Sequence, residues 1–414
     1  MAAPPYRVAI TGIGALTPIG CGRAGLWQGV RRGQSMVRTI RRFDATPFRA
    51  RCAAEIEGFE PTSYMDAKKA RRLDRYSQLA VAAARQAVED AGVCLEQHAQ
   101  DMGCYLGSAL GGVAFAEQQH QAYLQHGPAG VNPALALSVF GAAASSNVAI
   151  ELGLHGPSSA NSDSCASGLI AIGEAFRLVR DGRVPAMLAG GAEAPLAPLT
   201  FGSFALIKAM STTSKREPGH ASRPFDSQRD GFVMAEGAAM LVLERLEDAQ
   251  ARGVKILAEI RGYGASNDAY HMLAPRPDGR DATRAIRLAL EDAHVQPFEV
   301  DYINAHASAT PIGDRAEVCA ILAAFGAHAT GIAVSGTKGL YGHPLGASGA
   351  IETAISALSI DQGWLPGTTN LEQPDADNPL RLIPPGGTAC SPRVVLNNAF
   401  GFGGINAALV LSAA

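Results

Sequence analysis

Ala87-Val88-Glu89-Asp90-Ala91-Gly92-Val93 recurs, roughly half a chain later, as Ala289-Leu290-Glu291-Asp292-Ala293-His294-Val295. Each copy closes a helical pattern and is followed by a loop and an apolar strand, Met102 to Gly107 in the first case and Asp301 to Ala305 in the second. Self-similarity near half the chain length marks a duplicated unit. Strands alternate with helices in both copies, so the fold class is α/β. Lys68 to Gly92 reads as one long helix with Leu73, Tyr76, Leu79, Ala80, Ala83 and Ala87 inward, and Pro133 to Leu154 as a buried, Ala-rich helix. Pro185 to Gly191 and Ala238 to Leu246 read as strands. No low-complexity linker separates the copies, which are expected to pack as one body.

Near the start, Arg7 to Ile10 reads as a short strand entering Thr11-Gly12-Ile13-Gly14-Ala15-Leu16-Thr17-Pro18. Two glycines after a strand resemble a dinucleotide fingerprint. The third glycine is missing, and Pro18 stands where a phosphate-binding helix would begin, so a glycine-lined turn between packed layers is the better reading.

The totals fit this picture. The chain has 414 residues, 47% hydrophobic and 18% charged, the composition of a folded globular protein rather than a disordered one. A net charge of −3 argues against a nucleic-acid binder. The seven cysteines are scattered, with no CxxC pair, so neither a zinc site nor a disulfide framework is indicated. No secretory leader pattern and no run long enough to span a bilayer is found, and a cytoplasmic location is expected.

Chemistry first surfaces at Ser162-Asp163-Ser164-Cys165-Ala166-Ser167-Gly168. Leu169, Ile172, Phe176 and Val179 follow at helical spacing, and Asp181-Gly182 is a stop signal, so Cys165 falls at or just inside a helix N-terminus. The aligned peptide dipoles there favour a thiolate by roughly 0.3–2 kcal/mol, which lowers a thiol pKa near 8.5 by roughly 0.2–1.5 units. On this stretch alone, a nucleophile and a buried apolar filler are both open. Three further clusters lie in the second half: Asn304 to Asp314 with His306, Thr337 to Gly346 with Lys338 and His343, and Asn397 to Asn406 with the run Gly401-Phe402-Gly403-Gly404. Small residues let a substrate approach the backbone, and a glycine run lets amide N–H groups converge on an oxyanion.

These motifs, in this order, resemble the elongating β-ketoacyl-[acyl carrier protein] synthases of the thiolase superfamily. The resemblance covers essentially the whole chain, from TGIGALTPIG to FGFGGIN. It implies a thiolase fold of duplicated αβαβα layered halves, the first (1–250) carrying the cysteine and the second (251–414) the two histidines and the lysine. It implies that Cys165 accepts an acyl group from a carrier protein. His306 and His343, as neutral donors, then stabilise the enolate formed when malonyl-carrier loses carbon dioxide, and that enolate attacks the acyl-Cys165 carbonyl. Backbone N–H groups of Cys165 and Phe402 would form the oxyanion hole. Lys338 would join Glu317 and Glu352 in a buried charge network that orients the histidines. Phe402 would gate the acyl pocket beside Leu110, backed by the loop Asn267 to Gly279, and Ser308 and Thr310 would touch the pantetheine arm. Lys68, Arg71, Arg72 and Lys208 match positions that dock the acidic acyl carrier protein. No resident cofactor and no metal are expected, since 4′-phosphopantetheine is carried by the substrate's carrier protein. The implied partners are acyl- and malonyl-loaded carrier protein and a second subunit, either an identical copy or a chain-length factor, with no nucleic acid and no membrane.

The sequence departs from the family at several places. Asp163-Ser164 precedes the cysteine where a Thr-Ala pair is usual, and Asp163 is expected to cap the following helix. Ala307 is expected to narrow the tunnel slightly, and Tyr341 is bulkier than usual, hinting at a polyketide or polyene branch. A thiolase is disfavoured because Cys390 lies too early to serve the glycine loop. The initiating synthase type is disfavoured because it uses Asn where His343 stands. A non-catalytic chain-length factor typically lacks the nucleophile that is present here.

Overall fold

In the computed structural model, residues 5–212 and 217–414 are described. The echoed helix ends pack against two strands that lack side chains where the helices cross. Strand β1 (Val8–Thr17) lies against helix α1 (Arg75–Ala91), and a Cβ on Gly12 or Gly14 would overlap the Ala87 or Ala83 carbonyl oxygen. Strand β6 (Ala258–Asn267) lies against helix α4 (Arg280–Ala293), where Gly262 and Gly264 meet the Ala289 and Ala285 carbonyls in the same way. Asp90 accepts from the Ile13 N–H at 2.9 Å, and Asp292 from the Tyr263 N–H at 3.0 Å. Both helices end on a left-handed residue, Gly92 and His294. The duplication thus extends from a seven-residue echo to a whole helix–strand joint.

The remaining elements repeat in order. The first half continues with β2 (Gly103–Gly107), α2 (Ala143–Leu152), β3 (Ser158–Asn161), α3 (Ser167–Arg180), β4 (Ala186–Glu193) and β5 (Gly237–Arg245). The second continues with β7 (Tyr302–Asn304), α5 (Pro311–Phe325), β8 (Ala333–Ser335), α6 (Ser348–Gln362), β9 (Val394–Gly401) and β10 (Ile405–Ser412). The strands join in the order β8-β7-β9-β10-β6-β1-β5-β4-β2-β3, with Arg381–Leu382 added outside β8. The order reads the same outward from the β6/β1 seam on either side.

Alternation along the strands builds the layers. On β5, Ala239, Leu241 and Leu243 face a core shared with α3, α6 and the strands of the second half, while Ala238, Met240 and Val242 face α1 and α2. On β10, Ala407, Leu409 and Leu411 face the shared core, and Ala408 and Val410 face α4 and α5. The result is αβαβα, with α3 and α6 as the middle layer.

Three sequence readings change. Lys68 to Gly92 is not one helix: Asp66 caps a short turn over Ala67–Ala70, and Asp74 accepts from Ser77 N–H at 3.1 Å to start α1. Two caps so close together make two helices. Pro133 to Leu154 is one turn (Leu135–Ser138) and then α2, interrupted around Gly141, with Leu137, Val139, Phe140 and Ile150 exposed rather than buried. The Gly12–Gly14 segment is buried strand, not turn. Its glycines serve helix approach, and β1 runs on to Thr17.

Candidate active site

The candidate segments each follow the C-terminal end of a strand. After β3 the chain forms a tight turn (Ser164–Ala166) and enters α3, placing Cys165 just ahead of the helix. After β7 comes His306, after β8 come Lys338 and His343, and after β9 comes the Phe402–Gly404 turn. Gly401 makes the junction possible: a Cβ there would lie 3.1 Å from the Cys165 nitrogen and from Ser164 Cβ. A cavity of about 340 Å³ is lined by Cys165, His306, His343, Phe400 and Phe402, and also by Ser308, Thr310 and the exposed Lys208 and Ile312, which mark its open side.

Cys165 is only 7% exposed, and burial pushes its thiol up to about 11. The Ser164 hydroxyl, the buried Lys338 ammonium and the Phe402 N–H, which bonds to the sulfur, pull it back, while Glu193 opposes them. The sequence expectation of a lowered thiol pKa is therefore reversed, because desolvation of the thiolate outweighs a dipole worth at most about 2 kcal/mol. The expected Asp163 cap is also absent. The side chain makes no capping bond, and the residue's dihedrals (−90°, 43°) differ from the extended geometry a cap requires.

The imidazole rings of His306 and His343 sit 5.3 Å apart, nearly perpendicular. Burial, then the Lys338 charge, holds both well below the usual histidine range, so both are neutral donors at pH 7. His343 Nδ1 is 2.8 Å from Ser348 Oγ, and its ring meets Phe232 edge-on. Lys338, fully buried, pairs with Glu352 and donates to the His306 carbonyl, with His306 Nδ1 at 3.5 Å. Glu317 does not pair with Lys338. It accepts from the His306 and Ala307 N–H groups at 2.9 and 2.8 Å and from Asn398 at 3.1 Å. His306 is thus gripped through its backbone from two sides.

The other expected residues divide. Ser308 and Thr310 line the cavity, but the Thr310 hydroxyl also accepts from the Gly313 N–H at the start of α5. Phe402 lines the cavity and stacks on Phe204 at 6.2 Å. Leu110 does not line it; it packs into the apolar cluster that contains Cys165, Phe201 and Leu345. Ala307 points into the core, not the tunnel. Tyr341 is also core, its hydroxyl 2.8 Å from Thr337 Oγ1, so neither departure reshapes the cavity. The Asn267–Gly279 loop is laced to the glycine turn by Gly403 N–H to the Met272 carbonyl and Asp268 N–H to the Gly404 carbonyl, both 2.8 Å. Lys68, Arg71 and Arg72 are exposed and form no ion pair with a described residue, while the neighbouring Lys69 is held by Glu151.

Sequence reasoning missed Glu193. It is fully buried at the end of β4, raised by burial to about 7, and accepts from Ser108 Oγ and the Ala109, Leu110 and Gly346 N–H groups. It ties the loop after β2 to the turn that follows His343. Among the described residues, no cluster of three or more His, Cys, Asp or Glu side chains is placed to hold a metal.

A buried thiol, two imidazoles and a glycine turn meet at one cavity of a duplicated αβαβα body, the fold of the thiolase-type enzymes. The family model for the N-terminal domain of beta-ketoacyl synthases matches residues 6–249, and that for the C-terminal domain matches residues 257–372. The chain belongs to the beta-ketoacyl synthase family, whose members are acyl-transferring condensing enzymes. It is 45% identical over 404 residues to a Synechocystis protein named 3-oxoacyl-[acyl-carrier-protein] synthase 2, covering 97% of each chain. Its structure is similar to that of a ketosynthase solved with its type II PKS acyl-carrier protein (TM-score 0.92, 33% identity, 99% of this chain and 100% of that one). It is likewise similar to the ishigamide ketosynthase/chain length factor (TM-score 0.93, 34% identity, the same coverage).

Proposed function

We propose that the chain is a 3-oxoacyl-[acyl-carrier-protein] synthase that lengthens acyl chains by decarboxylative Claisen condensation, in fatty-acid or type II polyketide assembly. The observation that carries the reading is the single cavity shared by Cys165, His306 and His343. In this reading Cys165 takes the acyl group from one carrier protein. Malonyl-carrier then enters, and His306 and His343 donate to its thioester oxygen as carbon dioxide leaves. Neutral imidazoles suit an enolate, which needs donors and not a strong base. The enolate carbon attacks the acyl-Cys165 carbonyl, the Cys165 and Phe402 N–H groups hold the oxyanion, and Cys165 departs as the thiolate. The Lys338–Glu352 pair and Glu317 fix His306 in place. The 4′-phosphopantetheine arm belongs to the substrate, so the reading needs no resident organic cofactor.

Mass spectrometry of intact carrier protein, after incubation with malonyl-carrier and a panel of acyl-carriers, tests this. A 3-oxoacyl product that disappears in Cys165→Ala is expected, and the preferred acyl chain separates the two pathways. No acylation of Cys165 by any panel member would overturn the reading.

Lys68, Arg71, Arg72 and Lys208 form the docking face for an acidic carrier in this reading. Three of them are unpaired and exposed, and Lys208 stands at the cavity mouth. Arg71→Glu with Arg72→Glu is expected to raise the KM for carrier-bound acyl groups by roughly 3- to 10-fold at low salt, with the effect shrinking as salt rises. An unchanged KM removes the assignment.

The chain also works as one half of a dimer in this reading. β3 is an edge strand with exposed residues, α2 packs against it with Ile150 exposed, and Leu137, Val139 and Phe140 just before α2 are exposed too; an uncovered edge and apolar surface call for a partner. Acylation of Cys165 without condensation by the chain alone would point to a chain-length-factor partner, and full turnover to a second copy. No helix of the described residues is long and apolar enough to cross a membrane. The seven free cysteines support the cytoplasm as the compartment.

A further inference from the structure

Side chains of consecutive residues ordinarily point well apart, whether the backbone is helical or extended. Ser164 and Cys165 are an exception. Ser164 has φ of 54°, in the left-handed region that favours glycine, while the next residues continue as a right-handed turn. The reversal swings the Ser164 side chain toward its neighbour and leaves Oγ 3.8 Å from Cys165 Sγ. The conformation is held from several sides: Ser167 Oγ donates to the Ser164 carbonyl at 2.6 Å, Ala166 N–H donates to the Asp163 carbonyl at 3.2 Å, and the bare Gly401 backbone lies against Ser164 Cβ. A side chain kept at such a dihedral is strained, and strain of this kind persists where the surroundings impose it. A glycine would satisfy the backbone without strain but would bring no hydroxyl to the sulfur.

The need for a donor follows from the surroundings. Cys165 sits in the apolar cluster of Leu196, Phe201, Phe232 and Leu345 with only 7% of its surface exposed, so solvation of a thiolate is weakened. The charged and titratable groups that face it are Lys338, Glu193, Glu317, His306 and His343. Both histidines are neutral, and Glu193 opposes ionisation. Asp163, the neighbouring carboxyl, acts on Tyr263 instead. Direct donors to the sulfur are the Phe402 N–H and the Ser164 hydroxyl.

We propose that the Ser164 hydroxyl hydrogen-bonds the Cys165 sulfur and holds its thiolate during acyl transfer, so that Ser164 is part of the nucleophile's machinery. This rests on the reading of Cys165 as the acyl acceptor. In that step the sulfur forms the bond to the acyl carbon, and the bond from that carbon to the pantetheine sulfur breaks. The proton given up by Cys165 is balanced by the one taken up by the departing pantetheine thiolate. Ser164 keeps its own proton throughout and acts as a fixed donor.

The test is the pH dependence of Cys165 alkylation by iodoacetamide in the full chain, mapped by peptide mass, for wild type, Ser164→Ala and Ser164→Gly. In both variants the rate at pH 7 is expected to fall about 3- to 10-fold and the inflection to move up by about 0.5–1 unit, a tenfold shift in the proton equilibrium being one unit. Ser164→Gly suits the backbone and keeps the test alive if the alanine variant folds poorly. A rate lowered evenly at all pH values with an unmoved inflection in Ser164→Gly would mean that the residue only shapes the turn, and overturns the proposal. Iodoacetamide needs no carrier protein, so the outcomes separate: a shifted inflection in a protein that accepts no acyl group from acyl-carriers supports the Ser164 donor and removes the functional reading instead.

Discussion

The two halves of the molecule are built by the same devices and carry different reactive side chains. Gly12 and Gly14 admit α1 as Gly262 and Gly264 admit α4, Asp90 and Asp292 seal the two joints, and both strands carry a register shift before their glycines. A carboxylate in each half gathers the N–H groups of the loop after its second strand: Glu193 holds Ala109 and Leu110, and Glu317 holds His306 and Ala307. At the equivalent loop after the third strand, one half carries Cys165 and the other Lys338 and His343. The joints are insensitive to what the loops carry. In the proposed reaction one copy would hold the acyl group while the other makes the carbanion, with the scaffold setting the distance between them.

If labour is divided this way, the half-reactions separate. Cys165→Ala is expected to lower condensation by roughly 10⁴-fold or more while malonyl-carrier decarboxylation, followed by carbon dioxide release, survives. Loss of both activities would break the comparison. His343→Ala should do the converse, lowering decarboxylation by about 10²–10³-fold with Cys165 still acylated on intact-mass analysis. The scaffold claim is sharpened by Gly14→Ala and Gly264→Ala, each expected to cost about 1–3 kcal/mol or more in urea unfolding, and by similar amounts. If one is tolerated, the two joints are not equivalent.

The smallest effect concerns pH. Glu193 titrates near 7 in the folded chain and at about 4.3 unfolded, so its contribution to stability is full below about pH 4.3 and is lost as the pH rises through 7. The histidines of the other half run the opposite way. Their folded values lie well below 6.5, so their contribution is present above about pH 6.5 and lost as the pH falls. Glu193→Gln is expected to make the slope of unfolding free energy between about pH 4.5 and 7 less negative by up to about 1.4 kcal/mol per unit, read from urea curves at pH 5, 6 and 7. An unchanged slope would mean that Glu193 is ionised in the fold across that range.

The duplication and the reacting residues were legible because each leaves a local trace. Ala87–Val93 and Ala289–Val295 repeat a helix end, and Cys165, His306 and His343 stand among small residues at strand ends. What escaped depends on the third dimension. The glycines of β1 look like turn glycines until the α1 carbonyls they face are known. Asp74 is a readable cap, yet the inward pattern from Leu73 to Ala87 runs straight through it. Glu193 carries no motif, and that an acid is buried with four donors cannot be read from its neighbours in sequence. The thiol's pKa was misjudged because dipole alignment shows in a helix pattern, whereas desolvation depends on residues as distant as Leu345.

The strand order has a consequence for how the protein comes into being. β10 lies beside the β6/β1 seam in the middle of the sheet, yet it comes after every other strand in the chain, directly behind the glycine turn that touches Cys165. A ribosome adding about 5–20 residues per second leaves the thiol without the Phe402 amide for on the order of ten seconds or more. Through that interval Cys165 lacks the histidines of the second half, and the inner sheet face of the first half is uncovered. The middle of the sheet closes only when β10 inserts, so the cavity that joins Cys165 to His306 and His343 is complete only in the finished fold.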